Sequence, residues 1–156
     1  MKEQLEEALQ EWMETLEYFG EPISEGYMRG HSDTPDGLTV VVIDVSNPAD
    51  ESIVRNLRRG KMNLSVKTSG TIHFLYRKEL GDETLPDAEE RNDRIPEYVF
   101  QEMHRDTSLG GRIPGNVMPK NLKGGMFELE NTEGTEFCMS RMEIEYDGSW
   151  IEPIVE

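Results

Sequence analysis

This chain has a single cysteine, so Cys138 cannot close an internal disulfide. The fold must rest on packing alone, which suits a reducing compartment or indifference to redox. Cations are also scarce: 16 Lys and Arg stand against 32 Asp and Glu, a formal charge of −16. Such a balance repels nucleic acid and anionic membranes at long range and keeps a chain dissolved. Phosphate-led binding of DNA is therefore not expected, although a passive fit around DNA is compatible with it. No apolar stretch approaches the ~20 residues of a membrane span. Met1 to Leu16 has neither a basic leader nor an unbroken apolar run, so no signal peptide is expected. The sequence predicts a soluble chain made in the cytoplasm.

Familiar catalytic patterns are missing too. Gly60-Lys61 fails as a phosphate-binding loop, because Arg55 and Met62 stand where a Gly and a Ser or Thr are required. Gly110-Gly111 and Gly124-Gly125 do not complete a dinucleotide fingerprint. Asp82 to Asp93 lacks the order of a calcium loop. His31, His73 and His104 are scattered, with no second His or Cys at ligand spacing. Cys138 falls on a core-like strand face, where a free Cys is usually a small hydrophobe. The expectation is a protein with no catalytic residues, no cofactor and no metal, hence not an enzyme.

With 156 residues, 35% apolar and 31% charged, the chain suits one domain, residues 1–156, with a thin core. Leu5, Leu9, Trp12, Leu16 and Phe19 repeat at helical spacing, so a helix is predicted over Met1 to Phe19. Trp12 and Leu16 should lie against the strand Leu38 to Val45. Glu3, Glu6, Glu7, Glu14 and Glu17 should face elsewhere, and Gly20 and Pro22 end the helix. Glu21 to Gly37 reads as a loop or a broken edge strand. Leu38 to Val45 is β-branched and apolar throughout, which predicts a central strand covered on both faces. Asp50 to Gly60 reads as a polar connection.

Met62 to Lys78 alternates as a strand, with Ile72, Phe74 and Tyr76 on one face and His73 and Leu75 on the other. Gly70 suggests a bulge or turn within it. Ile95, Val99 and Met103 predict a helix that begins between Asp87 and Pro96, reaches about Arg105 and stops at Leu109-Gly110-Gly111. Pro96 should open its ordered part or kink it. Arg112 to Gly125 reads as a loop with one short strand near Val117. Met126 to Glu130 and Thr135 to Tyr146 read as a hairpin across Asn131-Thr132-Glu133-Gly134. Cys138, Met142, Ile144 and Tyr146 share a face there, opposite Glu143 and Glu145. Phe137 and Met139 fall out of phase, which suggests a bulge or an intersubunit contact near Met139 to Arg141. The order predicts an α+β single domain, its mainly antiparallel sheet flanked by an N-terminal helix and a second, central helix.

Two features point to interaction. Arg55, Arg58, Arg59 and Lys61 concentrate four of the 16 cations within seven residues of an acidic chain. Such a cluster can dock on an acidic neighbour, the helix Glu3 to Glu17 of another subunit included, and set its register. A solvated loop making surface pairs of ~0–1 kcal/mol is the plain alternative. Met118, Met126, Met139 and Met142 suit an adaptable interface or, more simply, core filling.

From Thr71 onward the layout resembles the tail-terminator, or tail-completion, proteins of long-tailed phages and related prophages. The matching pieces are Thr71-Ile72-His73-Phe74-Leu75-Tyr76, the helix Arg94 to His104 and the turn Asp106-Thr107-Ser108-Leu109-Gly110-Gly111. The last piece is the strand Glu136 to Tyr146. Met1 to Phe19 and Leu38 to Val45 also stand where that family places a helix and a strand. Pro96 and the long segment Glu21 to Gly37 depart from the pattern.

The resemblance implies a non-enzymatic virion structural protein, a homo-oligomeric ring, commonly hexameric, at the head-proximal end of the tail. Its partners would be itself, the tail tube protein and the head-completion or connector protein, with DNA only passing through the bore. Another head–tail connector component, a stopper or adaptor, is the nearest alternative. A small soluble enzyme or ligand-binding module is the next.

Overall fold

The alternation that begins at Met62 becomes a strand of 18 residues, Lys61–Lys78 (β6), in the computed structural model of the chain. The structure describes residues 2–24, 26–29, 39–46, 53–58, 61–78, 84–130 and 136–153. At 39–40, 53–58, 61–64, 76–78, 84–93, 124–130, 136–139 and 149–153 it is the backbone that is described. Along its whole length β6 pairs antiparallel and without a slip with a second 18-residue strand, Glu136–Pro153 (β8). On the far side of β8 lies Gly115–Glu130 (β7), also antiparallel.

The other edge of β6 is shared by two strands. Thr39–Val45 (β4) occupies positions 70–76 and Ile53–Arg58 (β5) occupies positions 61–66, both antiparallel. Gly26–Arg29 (β3) closes the sheet as a parallel neighbour of β4. The order is β3-β4-β6-β8-β7, with β5 beside β6. The sheet is thus mainly antiparallel, and its helices precede β3 and follow β6: an α+β fold, as the sequence predicts.

Lys2–Glu14 (α1) and Thr84–Arg105 (α2) both pack on one face. Leu5, Leu9, Trp12 and Met13 of α1 and Ile95, Val99 and Met103 of α2 are buried. They join Val41, Ile43, Ile72, Phe74, Met142, Ile144 and Tyr146 from the sheet in one cluster. On the opposite face both described helices are absent, and Val42 and Asp44 of β4 are half-buried there. Leu75 is buried on that other face, apart from the cluster.

Several boundaries move. Helix α1 stops at Glu14, because Thr15 N–H and its hydroxyl both turn back to the Trp12 carbonyl, at 3.1 and 2.6 Å. A hydroxyl that competes for helix carbonyls in this way favours a terminus. Leu16 is consequently half-buried, and Phe19 leaves the stripe altogether. Glu6, expected outside, is buried and accepts the Val45 N–H at 3.2 Å, capping the end of β4. Helix α2 begins at Thr84, earlier than expected: Thr and the following Pro86 suit a helix start. It continues through a buried Pro96.

Gly70 makes no bulge. A Cβ there would lie 2.8 Å from the Asp44 carbonyl oxygen, so glycine permits the close approach of β4 and β6. Residues 53–58, read as a connection, form a strand, and 115–125 belong to the long β7. A bulge does lie at the level of Met139 to Arg141, with its extra residues in β7 between Lys123 and Phe127, and a second irregularity lies between Pro119 and Asn121. Three extra residues are absorbed on that edge strand, where a bulge disturbs only one ladder.

Leu9 is wholly buried and should lose about 2–5 kcal/mol on conversion to Ala. Leu16→Ala should cost about 1–2 kcal/mol, in proportion to its partial burial. Urea unfolding of the two variants checks the order, and equal losses would place Leu16 in the core.

Candidate functional site

Three surfaces stand out, and each follows from the register. The first is the open sheet face. Antiparallel pairing sets Asp44, Thr71, Glu143 and Asn121 in one row, with His73, Arg141 and Lys123 in the next. Asn121 Nδ2 donates to Glu143 Oε2 at 2.9 Å, and Arg141 reaches Glu143 at 3.0 Å. Lys120 meets Glu145 at 3.3 Å and Lys67 meets Asp147 at 3.9 Å. A polar trough runs past Asp44, Ser69, Thr71, Lys120 and Glu145. These pairs are solvent-exposed, so each contributes ~0–1 kcal/mol and the face is a matched, wet surface. The Asn121 bond, with Arg141 and Lys123 nearby, holds the Glu143 carboxyl below the usual glutamate range, against a weaker opposing effect of burial. Among the described residues no three of His, Cys, Asp and Glu gather closely enough to hold a metal ion. Among them, too, no helix is long and apolar enough to cross a membrane.

The second surface is an arm. Helix α2 starts six residues after β6 ends, and it finishes where the Val117 N–H donates to the Thr107 carbonyl at 2.8 Å. Val117 pairs with Tyr146, which pairs with Thr68, so α2 spans the sheet from about position 78 to 68 of β6. Beyond that level β5, β6 and β8 continue as a three-stranded ribbon, and β5 makes its substantial contacts with β6 alone. Arg55 lies opposite Leu64, and Arg58 lies opposite Lys61, the last pair before the strands connect. Three of the four cations singled out in the sequence are thus backbone neighbours at the arm's end. Their side chains, and Arg59 as a whole, lie outside the described residues. So do the side chains of Met126, Met139 and Cys138, and His31. Met142 is buried in the core and Met118 is 39% exposed.

The third surface was not foreseen. After α1 the chain forms a two-residue hairpin, Glu17–Tyr18 (β1) against Glu21–Pro22 (β2), across Phe19 and Gly20. Both turn residues have positive φ, 52° and 79°, as in the tight turn that usually takes Asn-Gly. A left-handed backbone costs a side-chain-bearing residue roughly 1–2 kcal/mol. Leu109, at φ 55° in the Asp106–Gly111 turn, meets the same cost. There, full burial of the leucine contributes about 1.5–3 kcal/mol in return. Phe19 gains no such burial, being 90% exposed. Its ring meets Tyr18 edge-on at 4.7 Å, and Tyr18 lies 5.8 Å from Tyr98 of α2. Burial, then Glu102 and Glu17, push the Tyr98 phenol up, against a smaller opposing effect of Arg105. Burial and Glu14 raise that of Tyr27. Phe19 is therefore an aromatic held out on a tight turn within an acidic rim. The signal in the sequence was Phe19-Gly20 between Thr15 and Pro22, a turn pattern hidden by the helical spacing that ends at Phe19.

No protein-family model matches the chain, and a search of curated proteins finds no match.

Asn121→Ala should raise the Glu143 titration midpoint toward the ordinary glutamate value of about 4.3. A group held low in the folded state contributes stability above its unfolded pKa and loses it as pH falls through the folded value. Removing the bond should therefore narrow the acid-side difference between Glu143 and a free glutamate. Carboxyl-resolved NMR titration reads the midpoint, and an unchanged value would remove Asn121 as the cause.

Proposed function

We propose that the chain is a non-enzymatic virion structural protein, a ring-forming tail terminator at the head-proximal end of a phage-type tail. In this reading copies of the chain assemble into a ring, commonly a hexamer, that meets the tail tube protein on one side and the head connector on the other. The observation that carries it is the arm. Among the residues whose burial is described, Val66 is the last core residue on β6 toward the arm, yet β6 and β8 continue together to Lys61 and Pro153. The ribbon runs past both described helices, and in this reading it is the surface that meets another molecule; its end carries the chain's densest cations.

The order of elements supports the same reading: helix, strand, long strand, helix, Leu109-Gly110-Gly111 turn and terminal strand pair follow the layout of the family it resembles. Charge supports it as well. The formal charge of −16 repels DNA at long range, which favours passage through a bore over adhesion to it. Arg55, Arg58, Arg59 and Lys61 would then meet acidic surface on a neighbour and fix its register.

The purified chain should run as a multiple of 17.9 kDa in light scattering, with rings in negative-stain images. Raising salt should weaken assembly, because exposed pairs are screened within about 8 Å at physiological ionic strength. Arg58→Glu with Arg59→Glu should leave thermal unfolding within about 0.5 kcal/mol of wild type and weaken assembly. A chain that stays monomeric at high concentration and fails to bind tail tubes would overturn the reading.

A further inference from the structure

The β1–β2 hairpin sets three aromatic rings in contact at the surface. Tyr18 and Tyr98 are half-buried, pack against the core and lie 5.8 Å apart. Phe19 meets Tyr18 edge-on at 4.7 Å and is 90% exposed, so its ring faces are turned to solvent. No other large apolar side chain among the described residues is as exposed; Met118 follows at 39%. The tyrosines anchor the patch to the core, and the tight turn at Phe19 and Gly20 holds the third ring out.

Carboxylates flank these rings. After burial, it is the charges of Glu102 and Glu17 that raise the Tyr98 phenol, so both lie near it. Arg105 answers Glu102 at 3.0 Å. Glu17 is exposed, and its carboxylate makes no hydrogen bond or ion pair among the described residues. The patch thus holds one carboxylate with a guanidinium and one without. An aromatic at a turn tip can enter a bilayer, stack on a nucleobase or pack on another protein. Anionic headgroups and phosphates are both repelled by these acids. Two copies meeting hairpin to hairpin would set Glu17 against Glu17, a like-charge contact that disfavours the pairing. A protein surface that carries a cation meets neither objection.

We propose that the Phe19 hairpin binds an arginine side chain of a protein other than this chain, its guanidinium stacked on the exposed Phe19 ring and paired with Glu17. Arginine suits the site better than lysine. Its guanidinium is planar and weakly hydrated, lies flat on an aromatic face and presents N–H groups in a fork that matches a carboxylate. The partner is a different protein because the arginines of this chain whose side chains are described are already engaged. Arg29 donates to Gln10, Arg105 to Glu102, Arg112 to the Leu109 carbonyl and Arg141 to Glu143, and Arg94 has a partner as well. A second copy would have to break one of those contacts to fill the site. The site is independent of ring assembly and goes beyond the reading above.

Titration with Nα-acetylarginine methylamide, read by NMR of ring-labelled phenylalanine and of the Glu17 carboxyl, tests the site. The Phe19 and Glu17 signals should move together and saturate. The lysine analogue should bind roughly threefold more weakly, the scale of an exposed cation–π contact. Phe19→Asn keeps the fold, because Asn suits the left-handed turn position better than Phe, and should weaken binding by a similar factor. Glu17→Gln should do the same, and Phe19→Tyr should retain wild-type binding. In sedimentation velocity Phe19→Asn should self-associate as wild type does, since the occupant is another protein. Signals that stay fixed, an equal response to lysine, or an undiminished response in Phe19→Asn overturns the site. Self-association lost in Phe19→Asn overturns the choice of occupant and makes the hairpin a contact between copies.

Discussion

Everything in this molecule hangs on the unbroken pairing of β6 with β8. A strand's side chains alternate between faces, so a slip of one residue would exchange them all. Here a slip of β8 along β6 would drive Arg141 and Glu143 into the core and expel Met142 and Ile144. Register is therefore set by the difference between the two faces. Glycine secures the places where another chain segment approaches. A Cβ at Gly148 would overlap the Pro114 carbonyl and the Tyr146 ring, whose hydroxyl donates to that same carbonyl at 2.5 Å. The entry to β7 is locked to β8 there, and with it the turn that ends α2.

That frame explains where backbone strain is tolerated. Leu109 adopts a left-handed conformation because its side chain is buried, and the surrounding turn is tied down by bonds from Arg112 to the Leu109 carbonyl and from Val117 to Thr107. Phe19 has the same backbone geometry at an exposed tip. The edge contact with Tyr18 contributes roughly 0.5–1.5 kcal/mol beyond burial, comparable to the strain but without its surplus. Two left-handed residues in one chain thus have opposite settings, and the exposed one depends least on the fold of its own molecule.

Much of this architecture was legible in the sequence, for reasons that also explain the failures. Alternation marked β6 and the core face of β8, and four-residue spacing marked the buried face of α2. These periodicities arise from burial on a single face. Helix α1 was read too long because Leu16 and Phe19 continue its spacing by coincidence; the Thr15 hydroxyl that ends it is a local competition no periodicity reports. Glu6 was misplaced because a buried carboxylate depends on a β4 amide 39 residues away. Strand β7 is legible only at its ends, near Val117 and over Met126 to Glu130, since Pro119, Gly124 and Gly125 look like loop punctuation that an edge strand can absorb in irregularities. The basic run was found by composition, but its position at the end of a three-stranded arm required the pairing of β5 with β6.

Charge then decides what kind of assembly such a chain can make. At physiological ionic strength repulsion between copies is screened within about 8 Å, so a net charge of −16 opposes association mainly where surfaces touch. In the proposed ring, a contact that sets the basic run 55–61 against an acidic surface of the next copy relieves that repulsion where it is strongest. The scarcity of cations therefore limits such an assembly: with four of the 16 Lys and Arg in residues 55–61, that run can answer one acidic surface at a time, and the proposed ring, in which each copy offers it to the next, is the arrangement in which every copy's run is used.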